Sequence, residues 1–77
     1  MKITDININY EFGRRVNYLR KLQKITIEEL AFRCNLNKNY LGDIERGKRN
    51  PTLEVIDKIS KGLNISLEKL FSGIGIK

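Results

Sequence analysis

The chain has no histidine and a single cysteine, Cys34. That excludes a zinc site built from thiolates and imidazoles, and any disulfide within the chain. Carboxylates alone would capture a metal only from a clustered acidic loop, and the sequence has none. It also has no glycine-rich phosphate loop. Glu28 and Glu29 are adjacent, but neighbours on a helix point in different directions and do not share a proton-transfer site. Enzymatic chemistry therefore has no residues to rest on, and no cofactor, metal or small-molecule ligand is expected. No apolar run approaches the length of a membrane span, and the first residues lack the apolar stretch of a signal peptide. The expected compartment is the cytoplasm, with which one unpaired cysteine agrees.

What the chain does have is positive charge. Fifteen Lys and Arg against nine Asp and Glu leave a net charge of +6. Such a balance favours a polyanionic partner. It equally describes a surface that only avoids zero net charge, so a motif must decide. At 77 residues the chain bounds one small domain with one modest core.

Apolar spacing predicts five helices. The first covers about residues 10–23, with Phe12, Val16, Leu19 and Leu22 on one face and Arg14, Arg15, Lys21 and Lys24 mostly off it. Thr26 and Glu29 read as a reciprocal capping box opening the second helix. Leu30, Ala31 and Cys34 form its inner face, and Asn35 closes it. Asn37 caps a third helix with Leu41 and Ile44 inward, and Gly47 ends it. Pro51 sets a turn, Thr52 caps a fourth helix, and its inner stripe is Leu53, Ile56, Ile59 and Leu63. Ser66 caps a short fifth helix with Leu67, Leu70 and Phe71 inward. Residues 1–9, with Ile3, Ile6 and Ile8, read as an arm, and residues 72–77 as a loose tail. The fold class is all-α, in one domain over residues 10–71.

Residues 26–51 carry the information about function. Two short helical patterns stand back to back across a tight polar turn, and the second ends in glycine, two basic residues and, one residue on, proline. A helix-turn-helix needs that arrangement to place its second helix in the DNA major groove. Here the chain resembles the Xre-type helix-turn-helix proteins, the group that includes lambdoid phage repressors. The resemblance lies in Tyr18-Leu19-Arg20, in residues 26–31, in residues 40–51 with Ile-Glu-Arg-Gly-Lys-Arg-Asn-Pro, and in residues 63–71. It implies a compact five-helix, lambda-repressor-like domain and a transcriptional regulator acting as a homodimer on a palindrome in double-stranded DNA. The short length also resembles restriction–modification controller proteins and small phage repressors. The alternative is the DNA-binding antitoxin of a toxin–antitoxin pair, for which only residues 1–9 and 72–77 are spare. A single-stranded RNA module is disfavoured by the lack of paired surface aromatics.

The residue roles follow from position and resemblance together. Lys38 and Asn39 stand at the exposed start of the third helix, where bases are read, and Asp43 is one turn further on. Without DNA they are an ordinary solvated turn. Arg46, Lys48 and Arg49 suit phosphate contact, Arg46 also suiting a helix C-terminus. Thr26 and Tyr40 are further phosphate contacts, Tyr40 chiefly by packing. The resemblance implies an internal ion pair between Arg20 and Glu45. Leu63, Ile65, Phe71 and Ile74 exceed what so small a core needs and mark an expected dimer surface. Three positions depart from the family pattern: Ile27 in place of a DNA-touching glutamine, and Lys24 and Asn35 in place of glycines.

Overall fold

A computed structural model describes residues 7–75. Five helices follow one another: α1 Ile8–Leu22, α2 Ile27–Cys34, α3 Lys38–Glu45, α4 Leu53–Gly62 and α5 Leu67–Leu70. Each begins on a side chain that accepts a backbone N–H of the first turn: Asn7, Thr26, Asn37, Thr52 and Ser66. Helix α1 therefore starts before the expected point, because Asn7 Oδ1 accepts from the Tyr10 amide at 3.2 Å. Ile8 and Asn9 belong to α1 and not to an arm; Ile3 and Ile6 lie outside the described residues. The capping box of α2 forms by half. Thr26 accepts from the Glu29 amide at 3.0 Å, but the Glu29 carboxylate turns to Arg33 at 3.1 Å. A partner one turn along competes for the same carboxylate.

Four helices end alike. Lys24, Asn35, Gly47 and Asn64 take positive φ of 60°, 55°, 77° and 58°. The amide after each reaches back to a carbonyl of the preceding helix: Ile25 to Arg20, Leu36 to Ala31, Lys48 to Asp43 and Ile65 to Ser60. Lys24 thus adopts a left-handed conformation that favours glycine, at a cost of roughly 1 kcal/mol.

The core is Phe12, Val16, Leu19, Leu30, Ala31, Cys34, Leu41, Ile44, Ile59, Leu63 and Leu70. Burial pushes the Cys34 thiol up to about 11, so it stays protonated at neutral pH. Three expected core residues are not there. Leu22 and Leu67 are exposed, and Leu53 is 84% exposed. All three are end residues of their helices, where the right spacing meets no opposing element. Phe71 is a partial case: it stacks on Phe12 at 5.4 Å between centroids and remains 37% exposed.

Helix α1 crosses α3 closely because Gly13 has no side chain. A Cβ there would meet the carbonyl oxygens of Ile44 and Glu45. Arg15 links α1 to the end of α5, donating to the carbonyls of Lys69 at 2.9 Å and Leu70 at 3.3 Å. Among the described residues no helix is long and apolar enough to cross a membrane.

Candidate nucleic-acid interface

Helices α2 and α3 are joined by residues 35–37 alone. Asn35 makes the left-handed break, and Asn37 Oδ1 accepts from the amides of Asn39 at 2.8 Å and Tyr40 at 3.1 Å. Leu41 and Ile44 are fully buried, which fixes the inner side of α3. Lys38 and Asn39 are left exposed at its first turn. One helix thus stands at a set angle on another and presents its N-terminus outward, the geometry of a helix-turn-helix.

The sides of this turn are charged and already paired. Lys38 Nζ lies 3.1 Å from Glu28 Oε2, a bond across the turn that lowers the pKa of Glu28. Asp43 is held by two arginines, Arg46 Nη2 at 2.7 Å and Arg49 Nε at 3.3 Å. Their hydrogen bonds, that of Arg46 first, overcome desolvation and lower its pKa. The Arg49 guanidinium also sits 5.4 Å from the centroid of the Tyr40 ring. Asp43, expected to read a base, spends one lone pair of each carboxylate oxygen on these arginines in the free protein. Arg46, Lys48 and Arg49 are exposed together after α3. Gly47, at φ 77° and beside the Tyr10 backbone, makes the bend that brings them there. The Thr26 hydroxyl accepts from the Glu29 amide at the exposed start of α2. Tyr40 is half-buried against the core, as is Ile27, which packs near Gly42.

Arg20 and Glu45 meet under α3. Arg20 Nε to Glu45 Oε2 is 2.8 Å and Nη2 to Oε1 is 3.1 Å, a two-pronged pair. Asn17 Nδ2 adds a third donor at 2.8 Å, and Arg20 Nη1 reaches the Ile25 carbonyl at 3.0 Å. Asn17 and Glu28 have roles the sequence did not disclose. Asn17 is only one turn before Arg20, and Glu28 is ten residues from its partner.

The expected dimer residues are not all at the surface. Leu63 is 1% exposed and belongs to the core, because it closes α4 against the interior. Ile65 and Ile74 are half-buried, and Phe71 is partly open. Phe71 also lines a cleft of about 70 Å³ with Ile8, Phe12, Pro51 and Ile56. Among the described residues no group of three His, Cys, Asp or Glu is placed to hold a metal.

Fold and turn define a helix-turn-helix protein. The helix-turn-helix family model matches residues 16–70. The chain is 43% identical over 72 residues to the control protein C.BamHI of Bacillus amyloliquefaciens, covering 90% of this chain and 89% of that one. The crystal structure of the restriction–modification controller protein C.AhdI from Aeromonas hydrophila superposes with a TM-score of 0.80. Its identity is 38%, over 82% of this chain and 96% of that one. The controller protein C.Esp1396I, solved as a tetramer with its natural 35 base-pair operator, gives a TM-score of 0.79 at 31% identity, over 83% and 84% of the two chains. The chain belongs to the Xre-type helix-turn-helix family, and is a DNA-binding transcriptional regulator, not an enzyme.

Proposed function

We propose that the chain recognises a specific palindromic operator as a homodimer, in the cytoplasm. There it would control a restriction–modification system or act as a small phage-type repressor. The observation that carries the reading is the exposed first turn of α3, Lys38 and Asn39, beside the rim of Arg46, Lys48 and Arg49. A lysine donates to guanine O6 and N7, and an asparagine pairs with adenine N6 and N7. Lys38 would exchange Glu28 for a base, which costs little because the pair is exposed. The rim, Thr26 and Tyr40 take phosphates and fix register without reading sequence. The resemblance to C.BamHI and C.AhdI supports the controller reading over other regulators.

One α3 reads too few base pairs to find a site in a genome, so two copies are required. The apolar cleft at Phe71, Ile8 and Pro51, with Ile65 and Ile74 nearby in sequence, supports pairing through this end of the domain. Sedimentation at micromolar concentration tests it: a dimer is expected, and a strict monomer that binds one half-site with full affinity would refute the palindrome.

Phosphate anchoring is tested by salt. Neutralising an anchoring cation among Arg46, Lys48 and Arg49 should lower the slope of log K against log salt by about one unit. Three substitutions with unchanged slopes would show that the anchor lies elsewhere.

A further inference from the structure

We infer that Asp43 is a positioning residue for DNA recognition: its carboxylate clamps Arg46 and Arg49 in place and restrains their pull on DNA of any sequence. The inference rests on the DNA-binding reading above. Both oxygens are used, Oδ1 by Arg46 at 2.7 Å and Oδ2 by Arg49 at 3.3 Å. The Asp43 side chain is 28% exposed, half as open as either arginine. Its own backbone carbonyl accepts the Lys48 amide at 2.9 Å, so one residue holds the loop from two sides. Arg49 is further fixed over the Tyr40 ring. Gly42, with no side chain, leaves room for the Arg46 guanidinium against α3.

The clamp leaves both arginines useful. A guanidinium carries five N–H donors. Arg46 commits Nη2 and Arg49 commits Nε, so each keeps donors for a phosphate or a base. A carboxylate beside two guanidiniums also cancels one of their two charges, which weakens attraction to any phosphate in reach. The clamp thus orders two cations for a site that fits them and lowers their hold on DNA that does not.

The test compares Asp43→Asn and Asp43→Glu with the unaltered chain, on random duplex and on a duplex selected by that chain from a random pool. Asp43→Asn removes one negative charge, equivalent to one more released counterion. Random-duplex affinity should then rise roughly fivefold at 0.15 M salt, with a slope steeper by about 0.9. Affinity for the selected duplex should not rise with it, so the ratio between the two narrows about as much. Asp43→Glu keeps the charge and should restore the original random-duplex affinity. In a chain already carrying Arg46→Ala and Arg49→Ala, the Asn substitution still removes a charge and raises affinity for both duplexes alike, so the ratio between them should change less than about twofold. A ratio that narrows just as much in that background, or a loss confined to one base-pair position, would overturn the clamp. Failure of the unaltered chain to bind any duplex would instead remove the DNA-binding reading, and the clamp with it. Helical circular dichroism shows whether each variant is folded.

Discussion

Arg20→Ala should lower folding stability by roughly 3–5 kcal/mol. The reason is the carboxylate it abandons. Glu45 is 5% exposed and takes two bonds from Arg20 and one from Asn17. Without Arg20 the charge is left buried with one neutral donor, and the penalty is that of an uncompensated buried ion, not that of a lost surface contact. Arg20 also loses its bond to the Ile25 carbonyl, which supports the turn into α2. Such a loss is a large part of the 5–15 kcal/mol that typically holds a domain together, and each kcal/mol lowers Tm by roughly 4–8 °C at this size. The hydrogen bond to Glu45 raises the pKa of Arg20. A raised base is fully charged below its ordinary value, so Arg20 keeps its charge throughout the working range and loses it only at extreme alkalinity. Urea denaturation measures the effect. A drop under about 1 kcal/mol would mean that the pair behaves like an exposed one. Arg20→Met combined with Glu45→Leu should recover much of the loss, because no buried charge then remains.

Because Glu45 is the last residue of α3, this pair also sets how the reading helix stands on α1. In the proposed reading stability and recognition meet at the same carboxylate, and the link was partly legible in the sequence. Helical spacing placed Phe12, Val16, Leu19, Leu41 and Ile44 in the core, where the structure has them. Spacing misled at Leu22, Leu53 and Leu67, because period alone does not tell where a neighbouring helix stops. Short-range signals existed for the Asp43 clamp: Arg46 is three residues on, a spacing at which helical side chains meet. No spacing rule links Lys38 to Glu28, ten residues away, or Asn17 to Glu45; those contacts exist only once α1, α2 and α3 are packed. Gly13 is similar. Its lack of a side chain has no meaning until the α3 carbonyls arrive against it.

Replacing Lys38 or Asn39 by Ala should cost about 1–3 kcal/mol on the specific site and relax base preference at the positions it reads. Neither residue supports the core: both are exposed, Lys38 makes a solvent-facing bond to Glu28, and the α3 cap is made by Asn37. Stability should therefore stay within about 0.5 kcal/mol, as for other surface substitutions. Affinity for random duplex should change little for Asn39→Ala. Lys38→Ala should lose some, because a lysine at the turn attracts phosphate as well as bases. Equal loss on specific and random DNA for both variants would show that neither reads bases.

Selection of binding sites from a random duplex pool bears most directly on the central claim, that two copies of α3 read a palindrome. The expected result is a two-fold symmetric consensus whose half-sites are centred about 34–36 Å apart, one helical turn. Selection with Asn39→Ala should give the same symmetry and spacing with preference lost at the same position in each half. An unstructured pool after repeated rounds, or a single asymmetric motif untouched by Lys38→Ala and Asn39→Ala, would contradict it.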